Sequence, residues 1–305
     1  MKRMTMQNGM MLTAATILTI AASVPAMAQQ SVDERRPATA DGHVLITNIS
    51  GSVKISGWDR NEVHVRGTLG EGTERLDFTS SGGTTRIEVV LPKGEEARRQ
   101  QRIKGSDLEI SLPAGSRVEV NTVSADITVS TVTGEVELDS VSGNIRVMNT
   151  PSRVRSESIS GDIEIENAQT GTRANSVSGR ISVARAVGSF DLGTISSDIT
   201  VVGVNITDGS CSSLSGDIRL DATLSSGAEI DLESHSGTVE IIVPANVSAE
   251  FDITTFAGGI KNAFGQEPQQ RSQVMPGRFL RFTNGTGDAR ITINSFSGAV
   301  VITKK

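Results

Sequence analysis

Apolar and polar positions follow one recurring pattern along most of the chain. Asp139 to Val147 reads DSVSGNIRV, and near-copies follow as ESISGDIEI, NSVSGRISV and SSLSGDIRL. Each copy can be marked by its glycine or the residue standing in for it: Gly51, Ala125, Gly143, Gly161, Gly179, Ser197, Gly216, Gly237, Gly258 and Gly298. From Ala125 onward the marks are spaced by 18, 18, 18, 18, 19, 21, 21 and 40 residues. A fixed period of this kind signals a repeat architecture.

The columns give the strands. Two and four residues after the mark stand pairs such as Ile145/Val147, Ile163/Ile165 and Ile181/Val183; seven and five before it stand Val118/Val120, Val136/Leu138 and Phe190/Leu192. Alternation of this kind marks a strand with one buried face. Two residues before the mark runs a further column: Ile49, Val123, Val141, Ile159, Val177, Ile195, Leu214, His235, Phe256 and Phe296. It is read here as inward-facing too, with the flanking serines outward.

The upstream and downstream pairs lie nine residues apart, which excludes the six-residue period of a left-handed hexapeptide helix. The pattern predicts an all-β, single-domain parallel β-solenoid with about 18 residues and two strands per turn, rungs roughly 4.8 Å apart.

Organisation follows. Residues 1–28 have a basic start (Lys2, Arg3), an apolar run and an Ala26-Met27-Ala28 cleavage pattern, as in a secretory signal peptide. Residues 29–41 are expected to be a flexible tail and 42–303 the solenoid. Within it, 56–112 hold decorated turns and a charged loop (93–105), 113–260 the regular turns, and 261–303 a capping loop (265–277) and the last turns. Solenoid ends are unpaired sheet edges that need covering. Phe256, Phe264, Phe279, Phe282 and Phe296 could close one end.

Composition sharpens this picture. Only 3% of residues are aromatic, none is tyrosine, and 31 are glycine, so the core must be built from small aliphatic side chains. Without Lys2 and Arg3 the chain has 27 basic and 35 acidic residues, a net charge of −8. With no basic cluster, nucleic acid is a poor partner. Cys211 is the sole cysteine, so no internal disulfide can form despite the export signal. It shares the column of Leu138 and Leu192, which predicts a buried thiol.

Candidate chemistry is sparse. The position after the mark, with Asp126, Asn144, Asp162, Arg180, Asp198 and Asp217, suggests a calcium column, but Arg180 and Asn144 interrupt it. Glu137, Arg155, Arg173 and Asp191 suggest ion pairs between rungs. Serine and threonine flank the apolar column as Ser140/Ser142, Ser158/Ser160, Ser176/Ser178 and Thr194/Ser196. These could form two hydroxyl ladders that bind a repetitive ligand, or could simply make the turn. His235 replaces an apolar residue and reads as a core histidine. No residue set suggests a catalytic, cofactor or metal site.

The stretches GHVLITNISGSVKISGWDRNEV and DLEISLPAGSRVEVNTVSADITV, with the V-S-G-x-I-x-V copies, resemble the "putative-adhesin" family of exported bacterial β-solenoid proteins. That family is a domain of unknown function, and the resemblance supplies no site residues. It implies an exported, non-enzymatic, adhesin-like or envelope-associated protein, periplasmic or at the cell surface. The implied partners are envelope or extracellular polysaccharide, another surface protein, or further copies of the chain. The alternatives are a carbohydrate-active β-helix enzyme and a self-assembling envelope scaffold.

Overall fold

A computed structural model describes residues 30–94, 104–185, 187–270 and 276–305, and every regular element in it is a β-strand within one sheet. The signal-peptide reading of 1–28 and the central part of the charged loop at 93–105 lie outside the described residues.

Most pairing is parallel and skips a strand. Val136–Ser140 lies on Val154–Ser158, which lies on Thr172–Ser176, so Val136 faces Val154 and Val154 faces Thr172. The intervening strands Ile145–Met148, Ile163–Glu166 and Ile181–Ala184 stack on one another in the same way. The chain therefore coils, and each rung rests on the equivalent strands of the previous one.

Val136, Leu138, Ile145 and Val147, all at most 1% exposed, fill one rung of the core, with their counterparts above and below. Burying each such side chain contributes about 1.5–3 kcal/mol relative to leaving it in water. A single rung has nothing to bury against, so stability arises only from the stack.

The bends are fixed by backbone proximity. A Cβ on Gly161 would sit 2.0 Å from the Gly143 carbonyl oxygen, and one on Gly179 would sit 1.9 Å from that of Gly161. Ser197 occupies the same column by turning its hydroxyl onto the Ser178 carbonyl at 2.6 Å. On the opposite side Asn149 and Asn167 adopt left-handed conformations (φ 54° and 59°), which asparagine tolerates better than most residues. The Asn167 amide donates to Asn149 Oδ1 at 2.8 Å.

The ends depart from the expectation. Residues 29–41 are not a free tail: Gln30–Pro37 is a strand paired antiparallel along its whole length with Glu62–Leu69. Glu62–Leu69 in turn lies antiparallel on Ser106–Pro113, closing one stack of strands. Arg75–Ser81 and Thr84–Val90, within the stretch expected to hold decorated turns, form a hairpin that closes the other stack. Its two-residue turn is Gly82-Gly83, both at positive φ, the geometry such hairpins require.

At the other end the rung order is not the chain order. Ala289–Ser295 inserts between Ile218–Ser234 and Ala249–Thr255, and Val300–Lys304 between Val239–Val243 and Ile260–Asn262. Arg278–Asn284 then covers the outermost strand antiparallel. Phe282 stacks on Phe251 with centroids 4.5 Å apart, and Phe264 tilts against both. Phe279 is half-buried, whereas Phe256 and Phe296 take no part in the cap and face outward.

The first edge strand is pinned by a hydrogen bond between Asp33 and buried His64, at 2.6 Å. That bond holds the Asp33 carboxyl below the usual carboxylate range. A depressed folded pKa means that the contribution is present above the unfolded value near 4 and fades as pH falls through the folded one. Hydrogen exchange, corrected for intrinsic rates, should show amides 31–36 losing protection below about pH 4 while those of 154–183 keep theirs. Asp33→Asn should loosen 31–36 already at neutral pH; unchanged protection there would refute the pin.

Candidate functional site

The functional surface is set where each strand ends at the glycine bend. Side chains before the mark point inward at seven, five and three residues' distance; those after it point inward at two and four. The inward parity must therefore flip at the glycine bend of each rung, and it flips back at the opposite bend between Val147 and Val154. The column two residues before the mark was assigned to the inward side of the flip, and the structure places it on the outward side. Val141 is 43% exposed and Ile159 50%, whereas Ser140 and Ser158 are each 6% exposed.

The reason is a hydrogen bond. The Gly143 amide donates to Ser140 Oγ at 2.9 Å, and Gly161 and Gly179 repeat this with Ser158 and Ser176. The Ser197 amide donates to Thr194 Oγ1 at 3.2 Å. Those hydroxyls must turn inward to meet the bend amides, which leaves the aliphatic neighbour outside.

The hydroxyl ladder therefore divides. Ser140, Ser158, Ser176 and Thr194 are buried turn-makers, and Ser142, Ser160, Ser178 and Ser196 remain exposed beside the apolar column. The backbone ladder continues through the bend: the Ile159 amide donates to the Ser140 carbonyl and the Ser160 amide to the Val141 carbonyl. Rung by rung, the apolar side chains thus line up as a stripe.

From Ile49 and Val123 the stripe passes through Val141, Ile159, Val177 and Ile195 to Leu214. His235, Phe296 and Phe256 complete it, in that spatial order because of the inserted rung. His235 is thus an exposed member of the stripe and not a core residue; its ring lies 4.7 Å from that of Phe296 at 3°. Phe256 lies 4.9 Å beyond Phe296 at 6°. The ring spacing matches the spacing of paired strands.

A trough of about 690 Å³ runs along the stripe, bounded on its other side by Asn121, Asp139, Glu157 and Asn175. A second of about 540 Å³ shares Thr194 and Ser212 with it and continues past Glu233 and Asn294 to Phe256. On the floor of the first trough the hydroxyls of Ser140, Ser158, Ser176 and Thr194 are already engaged by bend amides. Burial raises the carboxyl pKa of Asp139, and the negative charges of Glu157 and Glu137 add to the shift. One wall is thus apolar and the other carries acids and amides.

The remaining candidates have structural partners. Asp126, Asn144, Asp162, Asp198 and Asp217 each accept the backbone amide one rung on, at 2.7–3.0 Å, so these oxygens hold the coil together. Arg173 pairs with Asp191 at 2.9 Å and Arg155 with Glu137 at 3.6 Å. Cys211 is fully buried opposite Leu192, and burial pushes its thiol pKa far up. Among the described residues no cluster of three or more His, Cys, Asp or Glu could hold a metal, and no helix is long and apolar enough to cross a membrane.

The two kinds of serine should separate in a stability measurement. Ser158→Ala strands the Gly161 amide and should cost about 1–2 kcal/mol in chemical unfolding. Ser160→Ala, on the exposed side, should stay within about 0.5 kcal/mol of the parent. Equal effects would reverse the assignment.

Among solved structures, a "putative adhesin" from Bacteroides fragilis NCTC 9343 is 10% identical, covering 90% of this chain and 98% of that one, with a TM-score of 0.42. A "putative lipid binding protein" from Parabacteroides distasonis ATCC 8503 is 15% identical, covering 89% and 97%, with a TM-score of 0.46. A "putative cell adhesion protein" from Clostridium sporogenes ATCC 15579 is 10% identical, covering 90% and 100%, with a TM-score of 0.25. No curated protein matches the chain. The family described as Toastrack DUF4097 matches residues 37–303, nearly the whole coil, and the chain belongs to that family.

Proposed function

We propose that this chain is an exported, non-enzymatic binding or structural protein of the cell envelope that works through its stripe-and-trough face. The observation that carries this reading is the stripe: eight aliphatic and aromatic side chains, each 40–52% exposed, in one line that includes the exposed ring of His235. Monomeric proteins rarely leave so long an apolar patch in contact with water unless it meets a partner.

A coil of about 18 residues and two strands per turn makes this face periodic, one apolar side chain per rung at about 4.8 Å. Such a surface suits an elongated or repetitive partner at the envelope: a polysaccharide or another surface protein. A binding role also fits the carboxylates of the trough. Asp139 and Glu157 stand on the same wall in successive rungs, whereas glycosidic cleavage uses two carboxyls on opposite sides of the scissile bond. The apolar start of the sequence with its Ala-Met-Ala end supports export.

Purified chain should be retained by isolated envelopes of cells that export it, without releasing soluble sugars from envelope or extracellular glycans. Ile159→Lys, which places a charge in mid-stripe, should reduce retention at least about tenfold, equivalent to about 1.4 kcal/mol. Retention unaffected by the substitution would show that the stripe is not the contact surface, and released oligosaccharide would indicate an enzyme.

A further inference from the structure

We infer that the partner of the stripe is a second copy of this chain, docked stripe to stripe with both coils running in the same direction. This rests on the reading above that the stripe face is the contact surface, and it names what covers that face.

Period is the first argument. The stripe repeats with the strand spacing, about 4.8 Å, over roughly 40 Å. An extended polypeptide laid along it would present same-side residues about 6.6 Å apart and lose register within two or three rungs. An α-helix repeats every 5.4 Å and slips by about one rung over the stripe's length. A second copy has the same rise by construction, so every rung meets a rung.

Area is the second. Eight side chains exposed by 40–52%, together with the exposed His235, leave on the order of 700 Å² on one copy. A standard stable interface covers about 800 Å² per partner. The stripe with its two rims therefore reaches what a dimer needs without recruiting another part of the molecule.

The rims fix the direction. On one side of the stripe stand Asp139, Glu157 and Glu233; on the other stand Ser142, Ser160 and Ser236. A two-fold axis along the coil brings the acids of each copy across from the serines of the other, with the Ser160 and Ser236 hydroxyls as donors facing the Glu157 and Glu233 carboxylates. A two-fold axis across the coil brings acids against acids, which like-charge repulsion disfavours. The parallel arrangement also sets Phe256 and Phe296 of one copy against the same rings of the other, a favourable aromatic contact.

Sedimentation equilibrium of the purified chain at micromolar concentration should give twice the single-chain mass. Ile159→Lys should weaken the dimer at least about a hundredfold, because the two introduced charges face each other across the axis. Its circular dichroism and melting temperature serve as folding controls.

Direction is read by single cysteines in the stripe, since Cys211 is buried and does not compete. Val141→Cys, Val177→Cys and Leu214→Cys should each cross-link to its own counterpart under mild oxidation in a parallel dimer. An antiparallel dimer would cross-link at one of them at most, which would overturn the arrangement. A monomer at all concentrations, or a dimer indifferent to Ile159→Lys, would overturn the inference. If the chain is monomeric while Ile159→Lys still abolishes envelope retention, the face binds a different partner and the reading above survives.

Discussion

Every part of this molecule depends on one constraint: each rung must lie on the previous one at strand spacing while passing through a bend where the inward side of the chain changes parity. The buried hydroxyl of Ser140, and its equivalents, makes that bend possible by accepting the Gly143 amide. The missing side chain at the mark lets one rung's backbone approach the carbonyl of the next. Without these two provisions the aliphatic columns of Val136, Leu138, Ile145 and Val147 could not stack into a continuous core.

The same constraint generates the outer surface. Once the serine has gone in, its apolar neighbour has no inward position left, so a line of aliphatic side chains faces water as a consequence of the turn. The Asp and Asn column beside the glycines is equally a product of stacking, because each carboxyl or amide oxygen takes a backbone amide one rung on. Residues that look like ligands when counted along the chain are mostly the coil's own fasteners. What is left over, the stripe and the acids across the trough from it, is the surface available for contact.

A coil with two open ends would template aggregation. Antiparallel strands cover both stacks at one end, Gln30–Pro37 and Glu62–Leu69 on one and the Arg75–Val90 hairpin on the other, while at the second end Arg278–Asn284 covers the stack that finishes in Ala249–Thr255. The second end adds an inversion, since the last strands of the chain enter the stack inside Ala249–Thr255 and Ile260–Asn262. The core next to that cap therefore cannot be completed until the final residues arrive.

Much of this was legible in the sequence. The all-β, mostly parallel architecture and the inward pairs before and after each mark follow from spacing and alternation, because a strand with one buried face must alternate. Burial of Cys211 and the pairing of Arg173 with Asp191 follow from column position alone. The Gly82-Gly83 hairpin could have been found from its two-residue turn between alternating runs.

Three features were decided only by the tertiary structure. Alternation states that parity changes between Leu138 and Ile145 but not at which residue, since that depends on which side chain meets the bend amide in space. Hence Val141 and its column, inward by pattern, lie outside, and His235 with them. The order of the last rungs depends on strand pairing at long sequence distance, to which local pattern is blind. The edge role of Gln30–Pro37 likewise exists only because Glu62–Leu69 offers it a free row of backbone groups.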